Sequence, residues 1–259
     1  MSSYLLANSA AHAGARFDAL AWTYDNASTR SLTATGVGPG WRCWEVGGGG
    51  GTIAVWLAGE AGSVLVTDID PHWMGGLADR QNVTVRRHDV VHDELPDGEF
   101  DLIHARLVLL HLPQRHEVLD RLVSCLRPGG WLVIEDFDCE HVPVLTEEHA
   151  EVFETVHGAF MNLLRDRGAD PAWGQSLPVA LRDHGLRDVV TSTHVVPWRG
   201  GSPGIELHRV NVDQLTGQLY AAGVTAGQLA DFHALLDDPT FAVRSYPLVS
   251  ATGRRAAPC

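Results

Sequence analysis

Lysine is absent from this chain, and all 19 basic residues among its 259 are arginine. A phosphate-binding P-loop places a lysine on the phosphates, and a pyridoxal phosphate enzyme holds its cofactor as a Schiff base on a lysine. Neither site can be built without that residue. The sequence therefore excludes P-loop nucleotide hydrolysis and pyridoxal chemistry.

Basic residues are also few relative to acidic ones. The 32 Asp and Glu residues and 19 Arg residues give a formal net charge of −13. A protein of that charge repels the phosphates of DNA and RNA. We therefore expect no nucleic-acid partner.

The usual features of secreted and membrane proteins are missing as well. Residues 1–15 do not combine a basic region with an apolar run, as a signal peptide would. No apolar stretch is long enough to span a bilayer. Cys43, Cys125, Cys139 and Cys259 show no C-x-x-C spacing and are expected to be free thiols. These observations predict a cytoplasmic protein without a membrane partner.

Glycine, in contrast, is plentiful, and five of the 27 glycines form one uninterrupted run, Gly47–Gly51. Residues 41–46 before it have the pattern of a strand, and residues 52–57 after it have the pattern of a helix. A strand, a glycine turn and a helix bring the backbone close to a nucleotide-like ligand, because glycine permits close approach and positive φ angles. The alternative, a flexible linker, would not be framed by a strand and a helix.

The spacing of these glycines narrows the class of ligand. The dinucleotide pattern G-x-G-x-x-G fails, because counting from the first glycine places Thr52 at its last position. The pattern present is an acid followed by three alternating glycines, Glu45-x-Gly47-x-Gly49-x-Gly51.

With this motif the chain resembles the class I S-adenosylmethionine-dependent methyltransferases that act on small molecules. Leu-Arg-Pro-Gly-Gly at 126–130 is a second family-like motif, and the resemblance extends over residues 41–138. It implies S-adenosylmethionine as cofactor and methyl transfer to an oxygen, nitrogen or carbon atom of a small-molecule acceptor. We expect a role in bacterial natural-product biosynthesis, and the chain could form a homodimer.

An acid after the second predicted strand is the candidate for binding ribose. Asp68 follows the first glycine of the turn by about twenty residues, where such folds place an acid on the ribose hydroxyls. A carboxylate can accept hydrogen bonds from both hydroxyls. Asp70, which precedes a proline, is interpreted more simply as a helix N-cap.

The resemblance implies further cofactor contacts. The family's acid after the third strand contacts the adenine amino group, and its neighbour lies on the ring; Asp89 and Val90 occupy those positions. A Tyr-Asp pair, here Tyr24-Asp25, often helps to close the cofactor pocket, although a helix that only packs on the core is the alternative. Ala105 ends the fourth predicted strand and is assigned to the same site. The predicted cofactor set is Tyr24, Glu45, Gly47, Gly49, Gly51, Asp68, Asp89, Val90 and Ala105.

Alternating strands and helices predict the fold class. Strands that alternate with helices form a parallel sheet covered by helices on both faces. We expect an α/β, doubly wound, Rossmann-like fold, and the resemblance implies seven mostly parallel strands with the last one antiparallel. The predicted strands are 41–46, 63–67, 83–87, 100–105, 131–135, 189–198 and 242–250. The predicted helices include 114–126, 146–167, 171–184, 205–221 and 226–237.

The resemblance also implies a single methyltransferase domain over residues 1–259. Segments near 1–36, 140–170 and 200–240 would form a helical lid over the carboxyl ends of the strands. Ligands bind at that edge in open α/β sheets. We therefore expect the lid to decide which acceptor binds.

Two residues are candidates for activating the acceptor. His111 and Asp136 follow the fourth and fifth predicted strands, and in some small-molecule members of the resembled family a His and an Asp from these loops act together. A hydroxyl or amine acceptor has to lose a proton, and a positioned base contributes about 10²–10⁴-fold. A place in the core or at a helix end is the alternative for His111.

A metal site is a further alternative. Asp136, Asp138 and His141 could offer oxygen and nitrogen ligands to a hard cation. Metal-dependent methyltransferases carry a different pattern of acids with an asparagine, so no metal is predicted. His88 and His92 fall in a strand-to-loop region, and their spacing is ascribed to chance among 14 histidines.

Two rival functions belong to other classes. A protein of this fold that binds S-adenosylmethionine can catalyse a non-methylating step such as cyclisation, or only bind a partner. The mass of the product would separate these from methyl transfer. An NAD-linked oxidoreductase is disfavoured by the missing dinucleotide pattern, and a cofactor titration would test it.

Overall fold

The computed structural model describes residues 5–6 and 12–257 of the chain. The beginning of the predicted lid segment 1–36, most of the stretch considered as a signal peptide, and Cys259 therefore lie outside the described residues.

Strands and helices alternate through the described part of the chain. The strands are β1 (Arg42–Val46), β2 (Ser63–Asp68), β3 (Val83–Arg87), β4 (Phe100–Arg106), β5 (Leu126–Phe137), β6 (Leu186–His194), β7 (Pro197–Arg199), β8 (Ala242–Arg244) and β9 (Leu248–Arg255). The helices are α1 (Ala13–Thr33), α2 (Thr52–Glu60), α3 (Arg115–Cys125), α4 (Ala150–Arg165), α5 (Trp173–Asp183), α6 (Glu206–Gln214), α7 (Thr216–Ala221) and α8 (Ala226–Asp237). Short 3-10 helices span Pro71–Leu77, Leu109–His111 and Glu147–His149.

Seven of the strands form one sheet in the order β3-β2-β1-β4-β5-β9-β6. The first five strands in this order are parallel to one another, whereas β9 is antiparallel to both β5 and β6. The predicted seven-stranded, mostly parallel sheet with an antiparallel last strand is confirmed. The chain runs outward from β1 to β3 and returns to β4 on the other side of β1. That reversal creates the switch point at which open α/β sheets bind ligands.

Side chains alternate between the two faces of the sheet, as strand geometry requires. Trp44 and Ile103 belong to the core that contains α3 and α5. Their neighbours in sequence, Cys43 and Leu102, belong to the core that contains α2. Helices therefore cover both faces, which is the doubly wound arrangement predicted from the sequence.

A third hydrophobic core lies among α1 and the helices of the later part of the chain. It joins buried residues of α1, α4, α6, α7 and α8 to Phe137, Trp198 and Tyr246. α1 packs on α6, and α4 packs on α7 and α8. Among the described residues, no helix combines the length and apolar character needed to cross a membrane.

Two strands predicted as continuous are interrupted in the structure. The prediction for 189–198 was wrong, because β6 ends at His194 and β7 begins at Pro197; the prediction for 242–250 fails in the same way at 245–247. Pro197 and Pro247 have no backbone N–H to donate to a sheet ladder. β7 and β8 instead pair with each other in a separate two-stranded sheet.

The predicted helices of the same region are confirmed only in part. The helix 226–237 coincides with α8, which the Thr225 hydroxyl caps by accepting from the Gln228 backbone N–H. The helix predicted at 205–221 is broken at Leu215 into α6 and α7. The hydroxyl of Thr216 donates to the carbonyl oxygen of Val212 at 3.2 Å, so a side chain satisfies the end of α6.

Candidate active site

The glycine turn is a strained segment that only glycine accommodates. Gly47, Gly49 and Gly51 have φ angles of +70°, +52° and +81°. The backbone N–H groups of Gly47 and Gly48 donate to the carbonyl oxygen of Thr67 at 2.7 and 3.0 Å. The turn is thereby fastened to the end of β2, and Gly51 leads directly into α2. Left-handed backbone of this kind is unfavourable for residues with a Cβ atom.

A cavity of about 550 Å³ lies over the carboxyl ends of the strands. One wall is the glycine turn with the ends of β2 and β3. Further lining residues come from α1, α4 and α6, which belong to the segments predicted as a lid. The lining residues include Arg16, Phe17, Leu20, Glu45, Gly47, Gly48, Gly49, Asp68, Asp89, Val90, His111, Phe160, Met161, Leu207, Asn211 and Tyr246.

Asp68 ends β2 and lines the cavity beside the glycine turn. Its Oδ2 accepts from the Gly49 backbone N–H at 3.0 Å, and its Oδ1 accepts from the Asp70 backbone N–H at 2.9 Å. A carboxylate accepts at about four lone-pair sites, so it can be anchored in this way and also accept from a ligand. The position is compatible with the predicted ribose contact.

Asp89 and Val90 line the same cavity after β3. The Oδ1 of Asp89 accepts from the Val91 backbone N–H, and its Oδ2 lies 2.9 Å from Nδ1 of His92. Partial burial raises the pKa of Asp89, but the hydrogen bonds from His92 and Val91 outweigh burial and lower that pKa below its usual value. Val90 is buried and presents an apolar surface. An acid and an apolar side chain are therefore adjacent, as the predicted adenine contacts require.

Glu45 connects the cavity to a buried histidine that was not predicted as a site residue. Its Oε2 lies 2.6 Å from Nδ1 of His104, whose Nε2 lies 3.3 Å from Oε2 of Glu135. Burial lowers the pKa of His104, but Glu45 and Glu135 raise it to about 9. Burial raises the pKa of Glu135, but His104, Arg106 and Ser250 lower it below its usual value. His104 is therefore an imidazolium between two carboxylates at neutral pH.

His111 lies on the 3-10 helix after β4 and lines the cavity, where the sequence predicted an acceptor-activating residue. The protein encloses it on the other sides. Burial, together with the positive charges of Arg16 and Arg115, lowers the pKa of His111 to about 3. The imidazole is uncharged at neutral pH.

Asp136 does not lie after the fifth strand as predicted, because β5 continues to Phe137. It is fully buried and does not line the cavity. Burial raises its pKa well above the usual value, although the Leu110 backbone N–H and Arg115 lower it. Asp136 is thus a buried acid of raised pKa that does not line the cavity, and the predicted joint action with His111 stays a prediction.

Three members of the predicted cofactor set do not line the cavity: Tyr24, Gly51 and Ala105. Tyr24 is fully buried, and its hydroxyl donates to the carbonyl oxygen of Tyr246 at 2.8 Å. Ala105 is buried within β4, next to residues that do line the cavity. Their contacts with the cofactor stay predictions.

The residues considered for a metal are dispersed. The Oδ2 of Asp138 accepts from Nε2 of Gln175 at 2.8 Å, and Asp136 lies in the core. Within the described part of the chain, no three His, Cys, Asp or Glu side chains are grouped as metal ligands would be.

Known proteins are similar to this chain in sequence and in fold. Residues 16–195 match a family model described as a methyltransferase domain. Methyltransferase str2 of Strobilurus tenacellus is 31% identical over 158 residues, which make up 56% of this chain and 53% of that protein. Methyltransferase str3 of the same organism is 30% identical over 137 residues, 51% of this chain and 48% of that protein. The chain thus spans about half the length of these curated relatives.

Among solved structures, phosphoethanolamine N-methyltransferase 2 of Haemonchus contortus, in complex with S-adenosyl-L-methionine, has a similar fold. The TM-score is 0.55 at 16% identity, over 94% of this chain and 57% of that chain. At this level of identity the similarity concerns the fold.

Proposed function

The chain belongs to the class I S-adenosylmethionine-dependent methyltransferases, and we propose that it transfers a methyl group to an oxygen, nitrogen or carbon atom of a small molecule. The observation that carries this proposal is the cavity of about 550 Å³, which has acids and glycines at one end and apolar side chains at the other. A cofactor and an acceptor can meet in such a space, and orientation of two reactants can supply roughly 7–11 kcal/mol.

The residues at the first end fit S-adenosylmethionine. Glu45 and Asp68 offer carboxylate oxygens, which suit ammonium and hydroxyl groups. Val90 offers an apolar contact for an aromatic ring, and the bare backbone of Gly47 and Gly49 permits close approach. When bound, the cofactor supplies an electrophilic methyl group. The role of the chain here is to bind and orient.

The other end of the cavity favours an apolar acceptor. Leu20, Phe160, Met161 and Leu207 line it together with Phe137. Apolar walls of this kind exclude water and bind apolar ligand surface.

Three ionisable side chains at this end of the cavity, Cys139, Tyr246 and His111, are uncharged at neutral pH. Burial raises the pKa of the Cys139 thiol and of the Tyr246 hydroxyl well above their usual values, and the pKa of His111 is lowered to about 3. Arg16 is the cation of this wall; its Nη1 donates to Oε1 of Gln214 at 2.6 Å. We infer that the acceptor is mostly apolar and is not a cation.

The lid and the biological setting belong to the same proposal. α1, α4 and α6 each contribute side chains to the cavity, which supports a lid role for the segments near 1–36, 140–170 and 200–240 of a single domain. A cytoplasmic location agrees with the free thiols of Cys43, Cys125 and Cys139. A place in bacterial natural-product biosynthesis rests on the resemblance.

The test combines binding and product analysis. Calorimetry should show binding of S-adenosylmethionine by the wild-type chain and no comparable binding of NAD. The chain should then be incubated with S-adenosylmethionine and a panel of apolar phenols, amines and carbon acids. Mass spectrometry should find a gain of one methylene unit in an acceptor, together with S-adenosylhomocysteine. Binding with a rearranged product of unchanged mass would instead favour the cyclisation alternative.

A further inference from the structure

Three buried charges lie side by side on one face of the sheet. Glu45 of β1 is the direct register partner of His104 of β4, and Glu135 projects from β5 on the same face. His104 and Glu135 are completely buried and the side chain of Glu45 is 4% exposed. We call these residues the Glu-His-Glu trio.

The charges of the trio do not cancel. A buried carboxylate needs a cationic or hydrogen-bonding partner, because burial of an isolated charge is very unfavourable. Glu135 has several: His104, the hydroxyl of Ser28 on α1 and the hydroxyl of Ser250 on β9. Two carboxylates and one imidazolium leave one net negative charge.

The neighbouring charges, Arg106 and Asp25, form an ion pair that adds no net charge, although Arg106 also lowers the pKa of Glu135. Arg106, next along β4, donates to Oδ1 of Asp25 on α1 at 2.9 Å and to the hydroxyl of Ser28 at 3.1 Å. The groups that face His104 are therefore Glu45, Glu135 and, beyond Ser28, this ion pair. Only Glu45 of the trio lines the cavity.

We propose that His104 and Glu135 are positioning residues for the cofactor, which hold Glu45 as a carboxylate facing the cavity and so present one net negative charge to the cationic part of S-adenosylmethionine. The inference rests on the proposed function, because it takes S-adenosylmethionine as the ligand. Glu135 helps to keep the imidazole charged, and the charged imidazole holds the carboxylate of Glu45 in a fixed direction. A neutral residue at position 104 would leave two buried carboxyl groups without the imidazolium that lies between them.

The consequence can be measured in His104→Gln. Two neighbouring buried carboxyls do not both ionise readily, so the pair would retain a proton near neutral pH. Glu45 would then be protonated in a fraction of molecules, and cofactor binding would be weakened. This loss diminishes as pH rises and the proton leaves, whereas a purely structural defect would not follow pH in this way.

The experiment is calorimetric titration of S-adenosylmethionine into the wild type, His104→Gln and the double variant His104→Gln/Glu135→Gln. The quantity compared is the ratio of variant to wild-type Kd at each pH, because the amino group of the cofactor itself titrates in this range. For His104→Gln the ratio should fall about tenfold between about pH 6.5 and about pH 8.5, as expected for a group with a pKa within that range. The double variant lacks the second carboxyl, so its ratio should stay within about threefold of one at every pH.

Specific results of these titrations would overturn the proposal. A His104→Gln ratio that is the same at every pH, or a double variant as weak as the single one at the lowest pH, would overturn the proposal. If His104→Gln fails to fold by circular dichroism, the double variant and Glu135→Gln decide instead. Glu135→Gln keeps the Glu45–His104 pair but removes its net negative charge, so it should bind about threefold to tenfold more weakly than wild type; wild-type affinity in this variant, or loss of binding in the double variant, would refute the inference. A wild type that does not bind S-adenosylmethionine would refute the proposed function itself.

Discussion

The ring of Phe17 covers Gly49 so closely that a Cβ atom on Gly49 would lie 2.9 Å from Cε1 of the ring. Gly49 also has a φ of +52°, which residues with a side chain rarely adopt. The glycine turn is therefore restricted from two directions, by its own backbone and by α1. Gly49 and Phe17 both line the cavity in which the cofactor is proposed to bind.

Gly49→Val is accordingly expected to abolish S-adenosylmethionine binding while the fold survives. The new side chain has to displace Phe17 or the turn itself, and a left-handed conformation costs about 1–2 kcal/mol for a residue with Cβ. Calorimetry measures the binding and circular dichroism the fold. Gly59→Val is the matched control, because Gly59 lies in α2 with no neighbouring atom within 4 Å of its Cβ position. Wild-type affinity in Gly49→Val would contradict the assignment of the turn.

Asp68→Ala should weaken S-adenosylmethionine binding by about 1–3 kcal/mol, the usual effect of losing a hydrogen bond to a charged group. Part of the loss comes from the turn, because Asp68 also accepts from the backbone N–H of Gly49. Asp70→Ala is the control, since Asp70 accepts from the His72 backbone N–H at the start of a 3-10 helix. Equal affinity for the two variants would argue against a ribose contact at Asp68.

The strand boundaries in the first half of the chain were predicted closely, because local residues mark where each strand ends. β3 coincides with the prediction, and β1, β2 and β4 differ from it by one residue at an end. Glycine turns and prolines mark these boundaries, and each apolar run is short. Later in the chain, β7 and β8 pair with each other across about forty intervening residues. The alternation of side chains within each strand does not indicate which distant strand it pairs with.

The residues of the candidate site likewise fall into those that the sequence alone identifies and those that only the fold brings together. The glycine turn and Asp68 are recognised from spacing alone, and both line the cavity. His104 is a single histidine in an apolar strand, and only the sheet register places Glu45 and Glu135 beside it. Asp136 was expected after β5, but pairing with β9 continues that strand to Phe137. Side-chain alternation then turns Asp136 away from the cavity.

Turnover is expected not to require a metal ion. The described residues contain no group of three or more potential metal ligands, and Asp138, one of the candidates, is engaged with Gln175. Treatment with EDTA followed by desalting should leave the methyl-transfer rate unchanged. Loss of activity that returns on addition of Mg²⁺ would contradict this, and would bring Asp136, Asp138 and His141 back as candidate ligands.

The pKa of His104 predicts how stability depends on pH. It is raised from 6.5 to about 9, so between these values the folded chain holds a proton that the unfolded chain has lost. Stability is then greatest below the unfolded pKa and declines as pH rises, by up to about 1.4 kcal/mol per pH unit. Urea unfolding between about pH 6.5 and about pH 8.5 should show this decline.

Two variants serve as controls for that decline. His157→Gln should retain it, because burial lowers the pKa of His157 to about 4 and this group does not titrate above the unfolded value. The double variant His104→Gln/Glu135→Gln should lose it, because the imidazolium and one of its carboxylates are both gone. A double variant whose stability falls as steeply as that of the wild type would show that another group is responsible.

His111→Ala should lower the methyl-transfer rate by about 10²-fold, the lower end of the contribution of a positioned proton acceptor. His111 lines the cavity and is uncharged, so its lone pair can accept a hydrogen bond from the acceptor. Affinity for S-adenosylmethionine should be unchanged by calorimetry. A base acts only when unprotonated, so with a pKa of about 3 the wild-type kcat should not fall between pH 8 and pH 5 on account of His111. An ordinary histidine base would lose activity through its pKa of about 6.5.

Asp136→Asn tells whether the buried acid takes part in the role of His111. Asp136 is fully buried and does not line the cavity, so an amide of the same shape should keep the rate within about threefold. If Asp136 instead orients the imidazole when the acceptor is bound, Asp136→Asn should cost as much as His111→Ala. The double variant would then be no slower than either single one, because residues that act as a unit are not additive. The rates of all three variants, measured at saturating S-adenosylmethionine, distinguish a buried acid that only packs beside the cavity from one that directs His111.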